Sequence, residues 1–302
     1  MKVNLKKLQT ENAILNILLS TLFFAFMNVV VKYLKDIPFF ELVFFRATIS
    51  CIIGYFTLKQ MKISFKPSNP KMILLRGITG TISLMLFFYT LQRMPLTTAV
   101  TIQYLAPLFT AILAGFILNE KTTWLQWFFL LFSFLGVMMV KGFDYRISWI
   151  ELGLGITAAF MSGLTYNLIR KLKDQEPPIR IVFYFPMVSA IISFPFLFTE
   201  IGGGWVTPDF RQSLLFLFLG IVTWFAQLFM TKAYQADAPG YISIFNYLGI
   251  FLGAGFGYIF FDETLTVLAS FGILIILVSV VLSTLYQNYI KRKGKYVGKL
   301  TR

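Results

Sequence analysis

The feature that most constrains this chain is a series of long apolar runs that charge almost never interrupts. Ten can be read, at about 13–34, 39–58, 72–91, 97–118, 124–141, 149–169, 179–198, 212–232, 239–261 and 267–289. A bilayer core about 30 Å thick needs roughly 20 mostly apolar residues per crossing helix, and each run is close to that length. Proline and glycine clusters punctuate them: Asp36-Ile37-Pro38, Lys66-Pro67-Ser68-Asn69-Pro70, Arg93-Met94-Pro95, Glu176-Pro177-Pro178, Gly202-Gly203-Gly204 and Asp237-Ala238-Pro239. Such clusters break helices. A membrane β-barrel would instead alternate polar and apolar residues over segments of about ten, whereas Leu125–Val140 and Leu265–Leu285 are continuously apolar. The first run, from Ala13, is too long for the apolar region of a signal peptide and ends at Lys32 with no small-residue cleavage site. The expected fold is therefore all-α, a polytopic membrane protein of ten transmembrane helices. Composition agrees, with 57% hydrophobic and only 13% charged residues, where soluble domains average about 25% charged.

Absences narrow the chemistry. The 302 residues contain no histidine and one cysteine, Cys51. Ser-His and Cys-His nucleophile pairs and histidine- or thiolate-built metal sites are thereby removed. Ser68-Asn69-Pro70-Lys71 fits a Ser-x-x-Lys pattern without any companion motif, and Gly298-Lys299 lacks the spacing of a phosphate loop. The expectation is a protein that is not an enzyme, with no cofactor and no metal site.

The net charge of +14 could suggest a nucleic-acid partner, but its placement argues for topology. With the N-terminus in the cytoplasm, twenty of the 27 Lys and Arg fall at cytoplasmic ends, among them Lys59, Lys62, Lys66, Lys71, Arg76, Arg170, Lys171, Lys173 and the tail from Lys291 to Arg302. Six fall at the opposite ends: Lys32, Lys35, Arg93, Lys141, Arg146 and Arg211. That bias satisfies the positive-inside rule. The reading is a multi-pass protein of the cytoplasmic membrane with both termini cytoplasmic and no nucleic-acid partner.

A shift of 143 residues aligns spans 3–5 with spans 8–10. Gly77-Ile78 falls on Gly220-Ile221, Gln92 on Gln235, Tyr104-Leu105 on Tyr247-Leu248, and Ala111, Glu120, Thr123 and Leu131 on Ala254, Glu263, Thr266 and Leu274. Each half holds five spans. Five is odd, so the second half enters the membrane upside down. The expected organisation is a cytoplasmic tail at 1–12, a first five-helix repeat at 13–143, an inverted second repeat at 144–290 and a basic cytoplasmic tail at 291–302. Inverted repeats place transport sites near the midplane, between the halves.

Several stretches resemble the EamA type of the drug/metabolite transporter superfamily. They are Arg76-Gly77 through Tyr89-Thr90-Leu91, Pro95-Leu96-Thr97-Thr98-Ala99, Tyr104-Leu105-Ala106-Pro107-Leu108-Phe109 and Asn119-Glu120-Lys121, with Phe44-Phe45-Arg46-Ala47 in span 2. The second half is similar through Pro239-Gly240, Tyr247-Leu248 and Asp262-Glu263-Thr264, with Ile250 where Pro107 stands in the first. The resemblance implies a secondary transporter that works by alternating access on a small-molecule substrate.

Candidate site residues follow from depth and helical spacing. Arg46 lies seven residues into span 2, about 10 Å deep at 1.5 Å per residue, and an ionisable group there is a functional candidate by default. A guanidinium grips carboxylates bidentately, so an amino acid or organic anion is the expected substrate. Pro107, near the middle of span 4, removes a helix hydrogen bond. Its repeat-mate span 9 carries Gly249 and Gly253, so Pro107, Gly249 and Gly253 are the candidate helix breaks. Gln103 and Tyr104 before Pro107, and Asn246 and Tyr247 at the matching place, are candidate cavity residues. So are Asn28 in span 1, Ser83 in span 3, Tyr166 and Asn167 in span 6, and Trp224 and Gln227 in span 8. Spans 1–4 and 6–9 should enclose the path. Spans 5 and 10, the least polar, should lie outside it and support the halves or a homodimer within the lipid bilayer.

The acidic residues fall in loops or near helix ends, with Glu41 the deepest, which favours facilitated transport or exchange over proton coupling. Competing readings are a flippase for a lipid-linked substrate and a membrane-embedded enzyme built on Glu41 with Lys32 or Lys35.

Overall fold

The computed structural model describes residues 5–117, 123–141, 147–199, 203–236 and 247–300. All regular structure among them is helical: α1 (Leu5–Tyr33), α2 (Phe39–Gln60), α3 (Pro70–Arg93), α4 (Leu96–Gln103), α5 (Ala106–Ile117), α6 (Trp124–Lys141), α7 (Trp149–Lys171), α8 (Pro178–Ser193), α9 (Phe210–Ala236), α10 (Leu248–Phe261) and α11 (Val267–Leu300), with a 3-10 turn at Phe194–Phe198. Taken together, α4 and α5 form one crossing, Leu96–Ile117, and the 3-10 turn completes the crossing that α8 begins. Among the described residues seven stretches are long and apolar enough to cross a membrane, and three shorter apolar helices, Trp127–Val140, Leu248–Phe261 and Val267–Ser283, fill the remaining places. The protein is an all-α, multi-pass membrane protein.

The ends are set by local chemistry. Pro38 and Pro177 precede α2 and α8, and Asn69 caps α3 by accepting from the Met72 N–H at 3.2 Å, with Pro70 at the first helical position. Proline suits that place because its missing N–H would have no partner there anyway. Ser148 and Glu151 form a reciprocal capping box on α7. Two boundaries differ from the sequence reading. Helix α1 begins at Leu5 rather than near residue 13, and α11 runs on to Leu300 through the basic segment instead of ending near 289. Neither segment contains a proline to stop it.

Lipid offers no hydrophobic drive between helices, so they associate through close packing and polar contacts. Small residues supply the first. A methyl group built on Gly77 would lie 2.9 Å from Val188, and one on Gly220 would lie 2.5 Å from Ile49. Hydroxyls supply the second. Ser20 Oγ donates to the Ala226 carbonyl at 2.9 Å, Ser50 Oγ to the Gly220 carbonyl at 2.9 Å, and Thr81 Oγ1 lies 2.8 Å from Ser189 Oγ. Other hydroxyls bond carbonyls one turn back in their own helix, as Thr101 does to Thr97 and Thr110 to Ala106, which satisfies them without an external partner.

The repeat is visible in these contacts. Helix α1 packs along α9, and α7 along α3; α2 meets α9, as α8 meets α3; α2 pairs with α8, α4 with α10 and α6 with α11. Exchanging the halves maps this set of pairings onto itself. Equivalent residues also make equivalent bonds. Gln92 Nε2 donates to the carbonyl of Ile37 at 2.9 Å and to that of Leu34 at 3.1 Å, while Gln235 Nε2 donates to the carbonyl of Glu176 at 3.1 Å. Ile37 and Glu176 each immediately precede the proline that opens the next helix.

Candidate functional site

A cavity of about 120 Å³ lies at the centre of the bundle, several times the roughly 10–15 Å³ that one water requires. Its walls come from both halves: α1, α2, α3, α4 and α5 on one side, α7, α8 and α9 on the other. No described residue of α6, α10 or α11 reaches it.

Of the residues singled out from sequence, Asn28, Arg46, Ser83, Gln103, Tyr104, Tyr166, Gln227 and Pro107 line this cavity. A polar chain joins three helices across it. Gln103 Nε2 donates to Ser162 Oγ at 2.7 Å, Ser162 Oγ lies 2.6 Å from Ser83 Oγ, and the Ser83 hydroxyl lies 2.8 Å from the Ala158 carbonyl. The Tyr166 ring stacks on Tyr234 with centroids 4.8 Å apart, which fixes its position in the wall.

The break in the fourth crossing falls beside this chain. Helix α4 ends at Gln103 and α5 starts at Ala106. Pro107 has no N–H to offer the Gln103 carbonyl four residues back. The Tyr104 amide instead bonds Val100 and Thr101, and the Leu105 amide bonds Ile102 in 3-10 fashion.

Other residues from the sequence reading lie elsewhere. Asn167 is fully buried behind the wall, where its Nδ2 donates to the carbonyls of Thr110 at 2.9 Å and Gly163 at 3.1 Å. It ties α7 to α5; one residue past Tyr166, it is turned about 100° around the helix. Trp224 packs in an apolar cluster with Leu58, Val182, Phe183 and Leu228 and is not among the residues that line the cavity. Tyr247 sits behind Tyr104, ring centroids 5.8 Å apart. Gly249 and Gly253 do not break a helix, since α10 is continuous from Leu248. They are close-packing positions: a methyl group on Gly249 would lie 1.7 Å from the Tyr104 hydroxyl, and one on Gly253 would lie 3.1 Å from Val100. With these residues turned toward α4, no described residue of span 9 lines the cavity, while residues 239–246 of that span lie outside the described residues. Asn246 and Glu120 lie outside the described residues.

The structure also brings in residues that the sequence reading placed elsewhere or passed over. By sequence Arg76 falls among the cytoplasmic topology charges. It is 2% exposed and lines the cavity, as does Arg46, also 2% exposed. Its Nη2 donates to Gln227 Oε1 at 3.2 Å. Its guanidinium carbon lies 4.1 Å from the Phe185 ring centroid, and that of Arg46 lies 5.6 Å from the same centroid and 5.6 Å from Phe88. Gly80, one turn along α3, leaves room for Arg76: a methyl group there would lie 2.7 Å from Arg76 Nη1. The available signal was depth, because Arg76 is six residues past Pro70, about 9 Å along the helix. Ser162, one turn before Tyr166 on the same face, and Thr165, which donates to Thr79 Oγ1 at 3.0 Å, complete that wall.

Two acidic residues close the ends of the bundle rather than the cavity. Glu263 accepts from the Leu96 and Thr97 amides at 2.7 and 3.2 Å and pairs with Lys32 at 3.0 Å, capping α4. Glu176 accepts from the Ser68 and Asn69 amides and pairs with Arg180. Glu41 is buried, and its Oε2 accepts from the Val206 amide at 3.1 Å.

A central cavity with both polar and apolar walls, between two interleaved five-crossing halves, is a transporter's geometry, and the comparison with known families agrees. The model of the EamA-like transporter family matches twice, over residues 11–142 and 149–285. The chain belongs to the EamA-like transporter family. The pseudopaline exporter CntI of Pseudomonas aeruginosa is 28% identical over 90% of this chain and 96% of its own length. The S-adenosylmethionine uptake transporter of Rickettsia prowazekii is 30% identical over 83% of this chain and 85% of its own. Human solute carrier family 35 member G1 is 27% identical over 82% of this chain and 72% of its own. A crystal structure superposes with a TM-score of 0.69 at 15% identity, covering 91% of this chain and 96% of that one, a likeness of fold. This EamA-like chain is a small-molecule transporter of the membrane.

Proposed function

We propose that this chain is a secondary transporter that carries a small polar metabolite, an amino acid or an organic anion, across the cytoplasmic membrane by alternating access between its halves, residues 13–143 and 144–290. The observation that carries the reading is Arg46, 2% exposed, in the wall of a central cavity that both halves line and whose described lining includes no acidic side chain. A guanidinium cannot shed its proton in a protein, and burying it without an anion is costly. A carboxylate on the substrate answers that need. The Lys and Arg bias supports placing the 1–12 and 291–302 tails in the cytoplasm. One relative is named an exporter and another an uptake transporter, which agrees with a scaffold whose halves have opposite orientation.

The test is counterflow in proteoliposomes with labelled amino acids and carboxylates, running wild type beside Arg46→Gln. Saturable exchange that the substitution abolishes, in a protein that still folds, supports the reading. Exchange unaffected by Arg46→Gln removes Arg46 from the site. No exchange across the whole panel, with movement of a lipid-linked substrate instead, replaces the carrier with a flippase.

A further inference from the structure

The cavity holds two guanidiniums, and among the described residues no carboxylate pairs with either. Arg46 and Arg76 are each 2% exposed. The Nε and Nη1 groups of both have no hydrogen-bond partner in the protein. Among the described residues, the one side-chain acceptor that reaches either is the neutral Gln227 amide. No Asp or Glu is among the described lining residues; Glu41, five residues before Arg46, lies outside that lining, where its Oε2 accepts from the Val206 amide and its Oε1 has no hydrogen-bond partner. The Phe185 and Phe88 faces attract the cations but accept no conventional hydrogen bond.

The two cations also sit at different depths. Arg46 lies seven residues from the start of α2, and Arg76 six residues from the start of α3. These helices run in opposite directions, so the guanidiniums approach the middle from opposite ends. Both face one ring, at 5.6 and 4.1 Å from its centroid, so their separation cannot exceed the sum of those distances. One small molecule can therefore reach both cations, and two uncompensated charges are balanced by two anionic groups on a short chain.

We infer that the cavity is built for a small molecule bearing two anionic groups, one for Arg46 and one for Arg76, beside Phe185. This rests on the transport reading above and narrows its substrate class: a dicarboxylate-like dianion rather than a zwitterion with one carboxylate. Each anionic group meets Nε–H and Nη–H donors that no protein acceptor uses, in the fork geometry that guanidinium presents to carboxylate.

The experiment uses the purified full-length protein and a probe series of succinate, glutarate and adipate, against butyrate, alanine and putrescine. Binding is read by thermal stabilisation in detergent and exchange by counterflow in proteoliposomes. The expected result is that at least one dicarboxylate binds about tenfold or more tightly than butyrate and alanine, as a second charge-assisted pair requires. Arg76→Gln should abolish that preference and leave residual monocarboxylate binding at Arg46. Arg76→Lys, which keeps charge without the fork, guards against simple misfolding and should retain part of it. Equal affinity for mono- and dicarboxylates, or an unchanged preference in Arg76→Gln, overturns the inference while leaving transport standing. Dicarboxylate binding without any exchange does the reverse: the dianion site stands and the carrier reading fails.

Discussion

Phe185 stands in the second half where Arg46 stands in the first, and the two face each other. Each is the eighth residue after the proline that opens its helix, Pro38 or Pro177, and the guanidinium carbon of Arg46 lies 5.6 Å from the Phe185 ring centroid. The scaffold is thus nearly symmetric and its chemistry is not. The first half supplies both cavity cations, and the second supplies an aromatic ring that both approach. Phe185→Leu keeps a buried apolar side chain but removes that face from both cations. It should lower stability by about 1–3 kcal/mol, combining lost cation–π attraction with lost packing. Thermal unfolding in detergent would show it, and an unchanged melting temperature would count against the shared-ring arrangement.

Gly80→Ala should act through Arg76. The added methyl would lie 2.7 Å from Arg76 Nη1 and 3.0 Å from the Phe185 ring, so the guanidinium must move. The expected result is weaker binding of the exchanged substrate by about tenfold, the scale of one disturbed charged hydrogen bond. A binding titration measures it. Affinity equal to wild type would mean that Arg76 takes no part in holding substrate.

Gly249→Ala should push Tyr104 out of place, because the new methyl would lie 1.7 Å from its hydroxyl. Overpacking of this kind costs about 1–3 kcal/mol. Tyr104→Phe removes the oxygen in the way, so the double variant should recover part of the loss. A double-mutant cycle on melting temperature would read the coupling, and strict additivity would contradict the contact.

Gln92→Ala and Gln235→Ala should each destabilise the protein by about 1 kcal/mol by leaving backbone carbonyls without their donor. Gln92 serves two carbonyls and Gln235 one, so the Gln92 change should be the larger. The two sites share no partner, and their effects should add. Chemical or thermal unfolding of both single variants and the double variant tests the order and the sum.

Lys32→Met should be milder than Glu263→Ala. Without Lys32, Glu263 still accepts from the Leu96 and Thr97 amides at the helix end where a negative charge is favoured. Without Glu263, those amides and Lys32 all lose an acceptor. The expected gap is about 1–2 kcal/mol in unfolding free energy. The reverse order would show that the ion pair, not the cap, matters most at this end.

Helix placement was legible because apolar length and proline punctuation record the bilayer directly. Side-chain facing was less so. Asn167 and Tyr166 are neighbours in sequence, yet Tyr166 lines the cavity and Asn167 bonds the Thr110 and Gly163 carbonyls. Polarity in a span marks a need for partners without saying whether substrate or backbone meets it. Arg76 escaped notice for a related reason. Near the cytoplasmic end of a span, an arginine can serve as a topology charge or reach inward along its own helix, and only the neighbours, Gly80 and Phe185, decide which. The glycines of α10 show the same limit: their spacing is compatible with a broken helix or a close seam, and contact with Tyr104 and Val100 makes it a seam.

The crossing of α6 and α11 has a mechanical consequence. A methyl group on Gly136 would lie 2.7 Å from the Gly272 carbonyl oxygen, and one on Gly272 would lie 2.5 Å from that of Gly136. With backbone against backbone at this point, and the Ile276 and Val140 side chains packed beside it, the two helices meet as a fulcrum. Rearrangements that preserve the contact must turn about it. Displacement then grows with distance from that point, so a small rotation at the glycines becomes a larger opening at the far side of the bundle. Bulk added at Gly136 or Gly272 would wedge the lever at its pivot, far from any residue that touches the cavity.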